Sequence, residues 1–339
     1  MSLRDESQLR AGINPAHSQI NFLHGISHLA SQWKYRKLMI LGRGSFGVVY
    51  SSMAATGEAV AVKKIKTASN KTNRELQVLE ALNSPFCLKL IDHFYSTESD
   101  ATFLNLVTEI MPESLGRLIR NLHQSKQPLN PLLTKLFVYE LFAGISHLHS
   151  LGICHRDIKT DNCLVDPRKG VLKIIDYGCA KFMDSSNGPH QPYIASRIYR
   201  APELLLNSTS YDNKIDIWAA GCVVAEILLD AIPMFQGCDN DDHLVQIMHV
   251  LGRPSASDEA SFEHPKPFPQ VEQICSLENA LPLSTDENLL ELLRRIFVYN
   301  PNKRPTAEEC MRSPYFDELF VEGVKLPNGN PLPNLPRPA

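Results

Sequence analysis

The chain has 339 residues, 43% of them hydrophobic, which is roughly two domains' worth of length and ample for a large core. Lys+Arg 34 against Asp+Glu 37 leave a formal charge of -3, so no global basic field points to nucleic acid or an anionic membrane, and any phosphate recognition must be local. The eight cysteines show no Cys-x-x-Cys spacing, which fits neither a disulfide framework nor a zinc site and implies reduced thiols in a cytosolic or nuclear compartment. No signal-peptide pattern opens the chain, and the apolar runs near 137–153 and 217–229 are too short or too interrupted to span a bilayer. Met1-Ser2 offers no glycine for myristoylation.

Residues 1–33 form a polar extension in which Ile20, Leu23, Ile26, Leu29 and Trp33 recur at three- and four-residue spacing. This predicts a short amphipathic helix, docked on the body or reaching for a partner. From 34 to 108 the pattern is β-like, with strands expected at Lys37–Leu41, Phe46–Ser52, Ala59–Ile65, Cys87–His93 and Thr102–Thr108. One helix interrupts it, about Asn73–Leu82, with Leu76, Leu79 and Leu82 on one face. A boundary segment at 109–113 follows. Helical patterns then dominate the span 114–318, at 113–123, 131–150, 213–230, 240–252, 286–297 and 305–312. The fold class expected is α+β, a small β-rich lobe before a larger, mainly helical one. The tail at 319–339 has too much proline for helix or strand and should lie extended over the surface or be mobile.

The run Leu41-Gly42-Arg43-Gly44-Ser45-Phe46-Gly47 contains Gly-x-Gly-x-x-Gly, a weak signal until its context is read. A dinucleotide site needs a helix after the glycines. Here Val48-Val49-Tyr50 continue a strand, so the glycines read as a hairpin that lets backbone N–H groups approach nucleotide phosphates. Lys63, on the next strand, can bridge the α- and β-phosphates, and Glu75 on the interrupting helix is its candidate partner. Glu75 has a second reading, because Thr72-x-x-Glu75 is also a capping-box pattern.

The densest signal is His155-Arg156-Asp157-Ile158-Lys159-Thr160-Asp161-Asn162, followed by Asp176-Tyr177-Gly178. Asp157 would accept the proton of an attacking hydroxyl and Lys159 would neutralise the transferring phosphoryl group. Asn162 and Asp176 would hold Mg²⁺, whose demand for hard oxygen ligands they meet. The layout is that of phosphoryl transfer from ATP.

With these motifs, Ala201-Pro202-Glu203, Asp216-Ile217-Trp218 and Arg304, the chain resembles a eukaryotic protein kinase from about residue 34 to 312. The resemblance implies the bilobal kinase fold, a buried Glu203–Arg304 ion pair, and Asp216 anchoring the catalytic loop. It also implies adenine bound between the lobes, with Thr108 at the rear, the backbones of Glu109 and Met111 at the purine edge, and Val49, Ala61 and Leu164 against the ring. Tyr193 through Glu203, Asn73 through Gln77, Leu104 through Val107 and Val324 through Gly329 resemble the glycogen synthase kinase-3 family of the CMGC group. That branch implies Arg74, Arg156 and Lys181 gripping a phosphate already on the substrate, four residues C-terminal to the reacting Ser or Thr. The same cations could instead bind a phosphate on Ser185 or Ser186, or be a structural cluster. Tyr193 matches a tyrosine autophosphorylated in the family, with Arg197 and Arg200 as partners for its phosphate.

The resemblance thus implies a serine/threonine kinase acting on pre-phosphorylated protein substrates, with scaffold proteins as candidate partners and neither nucleic acid binding nor membrane insertion. A proline-directed kinase without priming and a pseudokinase scaffold are the alternatives. Departures are visible. Tyr177 stands where the family usually has Phe, so its hydroxyl needs a buried partner; activity is expected to survive with a shifted balance between loop positions. Cys179 stands where Ser is usual. Ser7 lacks the basic surroundings of an autoinhibitory site, and in the scaffold-binding region 254–275 only Phe268-Pro269-Gln270 is similar.

Overall fold

The computed structural model describes residues 35–44, 47–67, 73–183, 194–262 and 268–338, so the extension at 1–33 lies outside the described residues. Two compact units are present: Met1–Thr72 with Leu90–Ile110, and Asn73–Lys89 with Met111–Ala339.

The first unit is one antiparallel sheet of β1 (Tyr35–Gly44), β2 (Gly47–Ala54), β3 (Ala59–Thr67), β4 (Leu90–Glu98) and β5 (Ala101–Glu109), in the order β1-β2-β3-β5-β4. Alternation assigns its faces. Val60, Val62, Phe94 and Val107 cluster on one face with Tyr35 and Ala54 packed beside them. Register pairs Gly42 with Val49, Val49 with Lys63, Ser51 with Ala61, and Ala61 with Thr108, so these residues line the opposite face. Gly47 is required by the fold itself: its φ is +149° and a Cβ would meet the Lys64 carbonyl oxygen at 2.2 Å. Around Gly42 and Gly44 a Cβ would find nothing within 4 Å, so of the motif's three glycines these two leave open space.

The second unit holds α1 (Arg74–Ala81), β6 (Glu113–Ser114), α2 (Leu115–Gln124), α3 (Pro131–Ser150), β7 (Ile153–Cys154), β8 (Cys163–Asp166), β9 (Val171–Ile174), β10 (Lys181–Phe182) and helices α4 to α10. These helices are Pro202–Leu205, Lys214–Leu228, Asn240–Leu251, Ala256–Glu259, Leu277–Ala280, Glu287–Ile296 and Ala307–Met311. The 34–108 span expected as one lobe is divided, because Ile174 donates to the Phe86 carbonyl and accepts from the Leu88 amide, tying 86–88 and α1 to this unit. α3 starts where Asn130 accepts from the Leu132 and Leu133 amides, with Pro131 at its first position. Four consecutive residues, Leu136 to Tyr139, are fully buried, as a helix apolar all round must be. The strands β7 to β10 span two to four residues, too short to show a period in the sequence.

The tail is extended and docked. Leu326 packs beside Gly170, whose φ is +63° and whose absent Cβ would strike Leu326 at 2.6 Å; the Tyr139 hydroxyl donates to the Pro336 carbonyl. Among the described residues no helix is long and apolar enough to cross a membrane.

The buried Glu203–Arg304 pair ties α4 to the segment before α10 through two parallel bonds of 2.6 and 2.7 Å. Arg304 also donates to the carbonyls of Val298 and Tyr299, so the charge is well satisfied. Glu203→Gln leaves that guanidinium buried without a counter-charge, which should cost about 3–5 kcal/mol in denaturant unfolding. A loss under about 1 kcal/mol would contradict this account.

Candidate active site

The catalytic loop is hung from Asp216 on α5 (Lys214–Leu228). Its Oδ2 accepts from the His155 amide and its Oδ1 from the Arg156 amide, both at 2.8 Å, and His149 Nε2 lies 3.0 Å from Oδ2. Burial pushes this carboxyl's pKa up, but the His149 hydrogen bond, the charge of His149 and the Arg156 amide outweigh it, and the net shift is down. The buried carboxylate therefore stays charged where the loop needs it. Asp157 N–H donates to His155 Nδ1, which leaves the ring proton on Nε2 for the Ile175 carbonyl, 2.9 Å away.

Around Asp157 the structure brings the predicted loop residues together. Lys159 Nζ lies 2.7 Å from Asp157 Oδ2, and Asn162 Nδ2 donates to Asp157 Oδ2 and to its carbonyl at 2.9 and 2.8 Å. With both amide protons committed, Asn162 must present Oδ1 outward, the oxygen a cation would need. Asp176 follows β9 at φ +62°. Arg156, at +67°, and Ala195, at +62°, share this left-handed geometry, a strain of about 1–3 kcal/mol each concentrated beside the chemistry.

Ser196 is the residue that sequence reasoning missed. Its amide and hydroxyl donate to Asp157 Oδ1 at 3.0 and 3.1 Å, and Lys159 Nζ donates to its Oγ at 3.0 Å, tying the segment around Ser196 to the Asp157 carboxylate. It sits inside the Tyr193 to Glu203 match, but serine carries no signature of such a role. Tyr193 itself lies outside the described residues. Arg200, expected beside its phosphate, is 4% exposed and donates to the Ile194 and Ala195 carbonyls and to Asn240 Oδ1. Arg197 donates to the Cys238 carbonyl.

In the second unit, Glu75 is buried in the first turn of α1, whose cap is Asn73, accepting from the Leu76 amide at 3.0 Å; Thr72, the other half of the capping-box pattern, lies outside the described residues. Met111 and Leu164 are partly exposed. In the first unit, Leu41 is 48% exposed, and Lys63 shares its sheet face with Val49, Ala61 and Thr108, followed by Glu109 at the end of β5.

Arg74 opens α1, Lys181 lies on β10 paired with Cys154, and Arg156 lies in the loop between. Desolvation, then the charges of Arg156 and Arg74, pull the Lys181 ammonium below its ordinary pKa. The three cations therefore feel one another.

Tyr177 resolves its own difficulty. Its ring is 1% exposed and meets His155 edge-on at 5.4 Å, while its hydroxyl donates to the Ile174 carbonyl at 2.8 Å. Burial, with the Cys87 thiol beside it, drives the phenol's pKa upward, so it remains a donor. Phe268 is also consumed by packing, against Phe262 and Tyr299, and is 5% exposed.

The chain belongs to the protein kinase family, whose domain model matches residues 35–316. Within it the chain is similar to glycogen synthase kinase 1 of Pyricularia oryzae, 38% identical over 312 residues that cover 90% of this chain and 78% of the relative. The protein is a glycogen synthase kinase-like serine/threonine protein kinase, using ATP with a divalent metal and acting on protein substrates.

Tyr177→Phe removes one of two bonds to the Ile174 carbonyl, since the Leu88 amide remains. It should lower stability by about 0.5–1.5 kcal/mol in denaturant titration and leave phosphotransfer measurable. A loss beyond about 3 kcal/mol would mean the hydroxyl bears more than this bond.

Proposed function

We propose that this kinase uses MgATP and prefers substrates already phosphorylated four residues C-terminal to the reacting Ser or Thr. One observation carries the priming reading: Arg74, Arg156 and Lys181 are close enough that the two guanidiniums depress the lysine's pKa beyond the effect of its desolvation. Such mutual repulsion is relieved by a dianion, and charge-assisted bonds to phosphate are worth about 1.5–3 kcal/mol each. The magnesium reading rests on hard oxygen donors at Asn162 and Asp176, a set of few protein ligands that suits a cation sharing its shell with substrate phosphates and water. When bound, the cation would neutralise charge on the transferring phosphoryl group. Asp157 would then orient and deprotonate the acceptor hydroxyl, while Lys159 offsets the charge that develops. Lys63 with Glu75 would hold the ATP phosphates, and Leu41, Gly42, Gly44, Gly47, Val49, Ala61, Thr108, Glu109, Met111 and Leu164 would enclose the nucleotide. Eight free thiols support a cytosolic or nuclear location, and scaffold proteins are candidate partners whose docking residues differ from the family's.

A Ser-x-x-x-Ser peptide with and without phosphate on its second serine tests priming. Wild type should show kcat/KM about 100-fold higher on the phosphorylated form, equivalent to about 3 kcal/mol, and Arg74→Ala should lose most of that ratio. Equal rates on both peptides would discard priming in favour of a proline-directed kinase.

A further inference from the structure

The three cations of the proposed phosphate site differ in how they are held. Arg74 stands at a helix start and Lys181 on a two-residue strand, but Arg156 is fixed from several sides. Its amide is bound by Asp216 Oδ1, its Nε donates to the Cys179 carbonyl at 2.6 Å, and its Nη1 donates to the Tyr211 hydroxyl at 3.1 Å. Those two side-chain bonds define the guanidinium plane. They leave one N–H on Nη1 and both on Nη2 with no partner among the described residues, although the side chain is only 8% exposed.

We propose that Tyr211 is a positioning residue for phosphate recognition: its hydroxyl holds the Arg156 fork so that the uncommitted N–H groups face the anion. The proposal rests on the priming reading and deepens it. A guanidinium held by Nε alone can rotate about that bond, and a bidentate grip on phosphate needs both ends of the fork placed. Tyr211 is itself 4% exposed and lies between α4 and α5, so it cannot follow the guanidinium if that group swings. Nothing about a tyrosine in the segment Leu206–Asn213 marks it in the sequence.

Tyr211→Phe removes the hydroxyl and keeps the ring. Steady-state kinetics on the phosphorylated and unphosphorylated peptides should show KM for the phosphorylated form raised about fivefold to tenfold with kcat within about twofold, so the ratio of kcat/KM between the two peptides falls by the same factor. An unchanged ratio, while Arg74→Ala loses it, would overturn the role of Tyr211 and leave the priming reading standing. A fall of kcat on both peptides together would show that the hydroxyl merely supports the catalytic loop. Wild type with no preference for the phosphorylated peptide would remove both proposals.

Discussion

Two backbone N–H groups bound to one buried carboxylate set the rest of the site. Asp216 is 1% exposed, and it accepts from consecutive residues, His155 and Arg156. Consecutive amides point the same way only if the chain turns sharply, which is why Arg156 sits in the left-handed region that a β-carbon resists. The turn sends the Arg156 side chain toward Tyr211 and Cys179, and carries Asp157 to Lys159, Asn162 and Ser196. The proposed proton acceptance and the proposed phosphate recognition thus share a single support.

That support is itself surrounded by buried polar pairs rather than by apolar packing alone. Glu203 with Arg304 secures α4, and Glu226 accepts from Thr160 and from the Tyr199 hydroxyl, joining the catalytic loop to α5 and the activation segment. Each such pair is costly to break because its partner is left desolvated. Breaking any one is therefore expensive, and the strained residues at 156, 176 and 195 are held by their surroundings.

The helices were legible because α3 and α5 are long and apolar on all sides, and the sheet because its strands run to eight residues or more and are rich in β-branched and aromatic residues. The grouping of Lys159 and Asn162 around Asp157 was legible because the three stand within six positions of one another in a stretch where phosphoryl transfer admits few residue types. Ser196 and Tyr211 were not, because their roles are made by hydrogen bonds across 39 and 55 positions, which no local pattern encodes. The short strands β7 to β10 escaped notice for the opposite reason, being fixed by pairing rather than by any period of their own.

If one carboxylate supports both activities, Asp216→Asn should damage both. The amide can accept one of the two N–H groups but must present a donor to the other, displacing the loop. A misplacement of about 1 Å can cost about 10²-fold in rate. Kinetics of this variant on the phosphorylated and unphosphorylated peptides are the most direct test. The account predicts a fall of about 10² in kcat together with loss of the preference between peptides. Retention of either one, full turnover or full preference, would contradict it.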